Sequence, residues 1–301
     1  MQMFKRIFLF LAVNFFVVIT LSIILSLFNI RPYLTAYGLD YTSLLIFCLI
    51  WGMGGALISL ALSKIMAKWL MGVRIIPENP HSPQQQMLLK MIRRLAQEAK
   101  LKAVPEVGIF SSAAPNAFAT GPTQNHSLVA VSTGLMEKMS PEELEAVLAH
   151  EISHIANGDM VTMTLLQGIV NAFVMFLARI LAYVFSGFGR SNDNRGGSIM
   201  SYYLFTLLFE VVFMILGSLV VAAFSRYREF RADFGGARLT GKEKMIAALD
   251  KLRLSTRQKE ELEGKKSFQA LMISTPTKFG IMRLFATHPP LDERIARLKK
   301  M

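Results

Sequence analysis

Residues 146–159, AVLAHEISHIANGD, decide how this chain is read. They form an apolar helical run broken by two histidines and a glutamate. Leu144, Val147, Leu148 and Ile155 recur at helical spacing and mark a core-facing stripe. Ser140 suits the N-cap, Pro141 the first helical position, and Glu143 completes a capping box. Asn157-Gly158 makes a C-cap or a kink. His150 and His154 therefore lie one turn apart on one face, where their imidazoles can converge on a single ion. Glu151 projects about 100° away and can reach a water on that ion. Two titratable rings on an apolar face are costly to bury without a ligand. With 5 histidines in 301 residues, this spacing is a poor candidate for chance.

Around this helix the chain is strongly apolar, 52% hydrophobic. Runs at 6–30, 42–63, 163–188 and 199–225 each reach the ~20 residues that cross a bilayer core. The first follows Lys5-Arg6 without a clean small-residue cleavage site and reads as a retained anchor. The expected organisation is an N-terminal transmembrane hairpin over 1–63 and the first part of an extramembrane domain over 64–162. A second hairpin follows over 163–225, and the rest of that domain over 226–301. Lys5, Arg6, Lys64, Lys68, Arg74, Arg226, Arg228 and Arg231 all fall on one side of the four spans. Cations are retained on the cytoplasmic side, which places both termini and both domain parts there.

The net charge of +12 is uneven. Segment 64–162 carries nine basic and nine acidic residues, and 225–301 carries eighteen and nine. The excess suits an anionic lipid surface. No aromatic–basic interleaving accompanies it, so no nucleic-acid partner is expected. Cys48 lies inside the second run and, alone, excludes a disulfide framework and a thiolate metal site within one chain. Arg179 and Glu210 sit at similar depth in the second hairpin, and intramembrane charges are usually paired or water-exposed.

In the domain, 79–101 begins with turn residues and then reads as a helix with Met87, Leu88, Met91, Ile92 and Leu95 on its apolar face. Segments 104–110 and 127–133 read as strands, with a short strand at 116–120 in the turn-rich stretch between them. A catalytic zinc site takes three protein ligands and keeps a fourth position for water. The remaining histidines are His81, His126 and His288. The preferred third ligand lies in SRYREFRADFGGARL, 225–239, where Glu229 and Asp233 stand at i and i+4 on an expected helix. Glu229 can bind the metal while Asp233 accepts the N–H of a ligating histidine. Equally, both can pair with Arg226, Arg228 and Arg231 on a solvated face, and spacing leaves both readings open.

HEISH with a downstream EFRAD resembles the gluzincin arrangement of two histidines and a glutamate on zinc. Together with PNAFATG at 115–121, NGD at 157–159, HPPLDERI at 288–295 and four apolar runs, it makes nearly the whole chain resemble the HtpX family of bacterial membrane metalloproteases. The Ste24 CAAX prenyl proteases and mitochondrial OMA1 proteases are more distant kin. The resemblance implies an α+β membrane protein, with four transmembrane helices and a cytoplasmic, mainly helical zincin-like protease domain holding a small β-sheet. It implies a zinc-dependent endopeptidase of the bacterial cytoplasmic membrane that cleaves damaged or misassembled membrane proteins at the cytoplasmic face. Its partners would be protein substrates, mainly membrane proteins, and the lipid bilayer. One Zn²⁺ per chain would be held by His150, His154 and Glu229, with Glu151 as general base and Asp233 behind the ligands. NAFAT would be an edge strand whose Asn116 and Ala117 hold an extended substrate. His288 and Arg294 would form an auxiliary pair beside the site, His288 facing the oxyanion.

Overall fold

The computed structural model describes residues 34–35, 38–187, 199–267 and 284–301, with Ile23 alone before them. The apolar run expected at 6–30, Ile23 apart, and the connection at 189–198 lie outside the described residues. The chain is mostly helical with a small mixed sheet, and it divides into two compact units, 1–60 with 162–221 and 61–161 with 222–301.

In chain order the elements are β1 (Leu34–Thr35), β2 (Gly38–Leu39), α1 (Tyr41–Leu70), β3 (Arg74–Ile75), α2 (Pro83–Glu98), β4 (Glu106–Phe110), β5 (Ala117–Thr120) and β6 (Leu128–Ser132). They continue with α3 (Thr133–Lys138), α4 (Pro141–Ala156), α5 (Asp159–Ser186), α6 (Ile199–Thr240), α7 (Lys242–Ser267) and α8 (Leu291–Lys299). Among the described residues, α1, α5 and α6 are long and apolar enough to cross a membrane.

Within the first unit, small residues bring helices into close contact. A β-carbon on Gly52 would stand 2.5 Å from the Ala172 backbone nitrogen, and one on Gly168 would stand 3.1 Å from the Met53 α-carbon. Such small-residue contacts replace the hydrophobic driving force that lipid does not supply. Arg179 and Glu210 meet as an ion pair at 2.5 Å. The guanidinium also donates to the Met175 carbonyl at 3.1 Å and lies over the Phe47 ring.

The long helices extend beyond the apolar runs. α6 has 42 residues, roughly 60 Å of helix and about twice a hydrocarbon core. Its charged end, which begins at Arg226, is therefore beyond the length that spans. Nothing in 226–240 stops the helix until Gly241, whose φ of +93° ends it. Hydropathy changes at 225 and ends the apolar run there, but backbone hydrogen bonding carries the helix on.

The second unit is built on a sheet of order β3-β4-β6-β5, with β4 and β6 parallel and the outer pairs antiparallel. β6, LVAVS, is buried at every position, as a central strand covered on both faces should be. α2 lays Leu88, Leu89, Ile92, Leu95 and Ala96 into a core shared with Val129, Val131, Leu148, Ile152 and Ile155. Met87 and Met91, expected on that face, are only partly buried, so the face is turned toward Leu89 and Ala96. β3 and α7 had no counterpart in the sequence reading. β3 is two residues long, and α7 is rich in charge.

Candidate metal centre

The site starts from α4. Its capping box forms: the Glu143 N–H donates to Ser140 Oγ at 3.2 Å, and the Ser140 N–H donates to Glu143 Oε2 at 2.9 Å. This satisfies donors that the first helical turn leaves open. Helix geometry then brings His150 and His154, both buried, edge to face with Nε2 atoms 3.1 Å apart. α4 stops at Ala156, and Gly158 turns the chain with φ +68°. α5 starts at once, and its first residue folds back on the site. Asp159 is 2% exposed, and its Oδ2 lies 2.6 Å from His154 Nδ1.

α6 meets α4 at the same place. It packs on α4 through Gly235 and Gly236. A β-carbon on Gly235 would stand 2.5 Å from Ser153 Oγ, and one on Gly236 would stand 3.1 Å from the His150 backbone nitrogen. That approach brings Glu229 and Asp233, both 2% exposed, against the two rings. Glu229 Oε1 is 3.3 Å from His154 Nε2, and Oε2 is 3.7 Å from His150 Nε2. Asp233 Oδ1 is 3.0 Å from His150 Nδ1. The solvated-face alternative for this pair is therefore set aside. The arginines expected to hold it are engaged elsewhere or at longer range. Arg226 donates to the carbonyls of Leu284 and Ala286, Arg231 donates to Asn157 Oδ1, and Arg228 stands 3.6 Å from Glu229.

Two residues from the chain's end complete the cluster. Arg294, on α8, grips Asp233 with Nε at 2.8 Å and Nη2 at 2.6 Å. Its Nη1 lies 3.4 Å from Glu229. His288 places Nδ1 2.9 Å from Glu229 Oε2 while its side chain is 66% exposed, so it faces solvent at the rim. His81 and His126 are exposed and take no part.

The donor set fits zinc. Ligands bound tetrahedrally at the usual 2.0–2.1 Å lie about 3.3 Å from one another. The separations among His150 Nε2, His154 Nε2 and the Glu229 oxygens are 3.1, 3.3 and 3.7 Å. Asp159 and Asp233 can only accept hydrogen bonds, so each takes the Nδ1 proton of its histidine and leaves Nε2 for a metal. Charge agrees. Burial by itself disfavours an imidazolium at His150, but hydrogen bonding to Asp233 and Glu229 outweighs it and raises its pKa to about 9. Burial likewise pushes the Glu229 carboxyl up, yet hydrogen bonds from His150, His154 and His288 hold it well below the usual carboxylate range. The pocket favours positive charge, which a dication supplies.

Glu151, 9% exposed, opens with His150 and Glu229 onto a cavity of about 160 Å³. Asn116, Ala117, His288 and Arg294 also line it. β5 borders it as the outer strand of the sheet. The Ser132 N–H donates to the Asn116 carbonyl at 2.9 Å, and the register pairs Ala117 with Val131. Hydrogen-bonded and non-hydrogen-bonded pairs alternate along antiparallel strands. The N–H and C=O of Ala117 and Ala119 thus point away from β6, toward the open edge.

The structure brings the residues expected above to one cluster and adds Asp159, which the sequence leaves unassigned. The signal was present: an aspartate five residues after His154, across an Asn-Gly turn. The apolar wall supplied by α7 was likewise unassigned. Met245, Ala248, Leu249 and Leu252 recur there at helical spacing.

Comparison with known proteins accords with this geometry. The sequence profile of Peptidase family M48 matches residues 82–301. The chain is 49% identical over 299 residues to Protease HtpX of Thioalkalivibrio sulfidiphilus, covering 99% of each chain. It is 48% identical over 297 residues to Protease HtpX of Chromohalobacter salexigens, covering 98% of each. The crystal structure of S. mikatae Ste24p superposes with a TM-score of 0.65 at 19% identity, over 98% of this chain and 64% of that one. That likeness establishes a shared fold.

Proposed function

This chain belongs to peptidase family M48 and is a metalloendopeptidase, and from that premise we propose a zinc-dependent, integral-membrane enzyme of the bacterial cytoplasmic membrane. In this reading it spans the membrane four times, with termini and active site cytoplasmic, and clears damaged or misassembled membrane proteins. The retention of Lys and Arg beside one set of span ends supports the orientation. The observation that carries the chemistry is the placement of Glu151. It lines the same cavity as His150 and Glu229, beside the open edge of β5.

His150, His154 and Glu229 would hold one zinc ion. Bound there, zinc supplies Lewis acidity toward the scissile carbonyl and toward water. Glu151 takes the proton of the attacking water and returns it to the leaving amine. The main chain of Ala117, with Asn116 beside it, pairs with an extended substrate, which reads shape more than sequence and suits a quality-control enzyme. His288 at the rim donates to the developing oxyanion, and Arg294 fixes Asp233 behind His150.

The test compares purified wild type with Glu151→Gln for metal content and for cleavage of casein. One zinc in each with cleavage by wild type alone supports the reading. A Glu151→Gln protein that cleaves at the wild-type rate removes the assigned base. Zinc in both with cleavage in neither points to a structural metal.

A further inference from the structure

Arg226 stands one helical turn before Glu229 on α6, at i and i+3, so the two side chains serve the same face of the helix. Arg226 Nη1 donates to the Leu284 carbonyl at 2.7 Å and to the Ala286 carbonyl at 2.8 Å. Two residues of extended chain rise about 6.6 Å, so carbonyls that share one nitrogen mark a backbone curled around it. Two residues further on, His288 sets Nδ1 2.9 Å from Glu229 Oε2. Residues 286 and 288 thus meet α6 at 226 and 229 in turn, and the segment follows the helix. Little packing holds it there. Leu284, Phe285, Thr287 and His288 are exposed, and Ala286 is half-buried. The far end is fixed, because Pro289 is buried and the Glu293 and Arg294 N–H groups of α8 donate to the Pro290 carbonyl. Proline carries no N–H, so 289–290 adds no backbone donor of its own.

We propose that Arg226 is a positioning residue for the peptidase reaction, the clamp that sets His288 over the cavity. The proposal rests on the peptidase reading and on His288 as the oxyanion donor. An exposed side chain on an unpacked segment keeps its rotamer freedom, so the aim of the imidazole is decided by where its backbone is held. A guanidinium suits that task. It stays charged at every working pH, and its planar fork donates in fixed directions. Because Arg226 and Glu229 share a helix, the metal ligand and the anchor of His288 move as one body. Among the described residues, His288 lines the cavity and Arg226 does not. Its effect on the reaction therefore passes through His288.

Full-length, zinc-loaded protein is assayed on a defined peptide from casein, giving kcat and KM for wild type, Arg226→Met, His288→Ala and the double variant. Arg226→Met keeps the stem and loses the donors. It should lower kcat roughly 10–100-fold with KM unchanged, because the contact it supports forms in the transition state and a misplacement of about 1 Å can cost about 100-fold. In the His288→Ala background the same change should have no further effect. Zinc affinity, read by chelator competition, should match wild type. Arg226→Lys, whose ammonium can still donate to both carbonyls, should recover part of kcat. Arg226→Gln, which keeps one donor group, replaces Arg226→Met if the latter does not fold, and its kcat loss must likewise vanish without His288. Multiplicative losses in the double variant overturn the proposal, as does wild-type kcat in a folded Arg226→Met or a loss traced to weaker zinc. His288→Ala turning over at the wild-type rate also overturns it, since Arg226 then has nothing to position. No cleavage by zinc-loaded wild type is a different failure, because it removes the peptidase reading beneath the proposal.

Discussion

Gly235 of α6 and Ser153 of α4 are in contact so close that a β-carbon on the glycine would lie 2.5 Å from the serine oxygen and 2.8 Å from its β-carbon. The serine cannot swing away freely, because its hydroxyl donates to the Ala149 carbonyl at 2.7 Å. Gly235→Ala gains about 1 kcal/mol of helix propensity, but overpacking at such a contact costs roughly 1–3 kcal/mol. The expected result is a net loss of stability. A second consequence is weaker metal binding, because α6 carries Glu229 and must move off α4. Thermal unfolding and zinc competition with a chelator read the two effects. An alanine variant with wild-type zinc affinity would show that this contact does not set the ligand geometry.

Asp159 holds His154 as Asp233 holds His150, but with no guanidinium gripping it among the described residues. Outer carboxylates on ligating histidines typically account for 10–100-fold in metal affinity. Asp159→Ala should weaken zinc binding by that order, and Asp159→Asn, which still accepts the Nδ1 proton, should fall between. Chelator competition on folded protein measures this without reference to turnover. Equal affinity in wild type and Asp159→Ala would leave the aspartate as a helix-start residue only.

Arg294 and Asp233 form a buried, two-point ion pair, with 7% and 2% of each residue exposed. Removing one partner of such a pair strands the other and costs about 3–5 kcal/mol. Arg294→Met keeps the volume and loses the charge, so a large drop in unfolding temperature is expected, with looser zinc as a companion effect. Arg294→Lys should recover only part of the stability, because an ammonium cannot reproduce the fork. A methionine variant as stable as wild type would mean that Asp233 finds another partner.

The Arg179–Glu210 pair permits a cycle. Either leucine substitution alone leaves an uncompensated charge in an apolar unit, and both together remove the problem. The double variant should be more stable in detergent than either single one. Additive losses would show that the two charges act separately.

The parts of this protein legible in its sequence are those governed by neighbours along the chain. The capping box of α4 depends on residues three apart, and the meeting of His150 with His154 on residues four apart. The apolar runs declare themselves by length. β6 was legible because full burial demands an unbroken apolar segment. Similar depth allowed Arg179 and Glu210 either a pair or a polar cavity, and the structure shows the pair.

Other features depend on which surfaces meet. α6 continues past its apolar run because backbone hydrogen bonding is indifferent to the change in hydropathy at 225. Arg294 reaches Asp233 across 61 residues and His150 across 144, distances over which no local rule operates. The open edge at Ala117 follows from the register with β6, and a slip of one residue would turn those groups inward. The apolar pocket needs α3, α4 and α7 to converge. The sequence by itself determined the spacing of His150, Glu151 and His154 and the long apolar helices, because i to i+4 geometry and chain length are local. Only the tertiary structure decided that Asp159, Arg294 and His288 join Glu229 in one cluster, because long-range packing selects among many surfaces that the same local patterns allow.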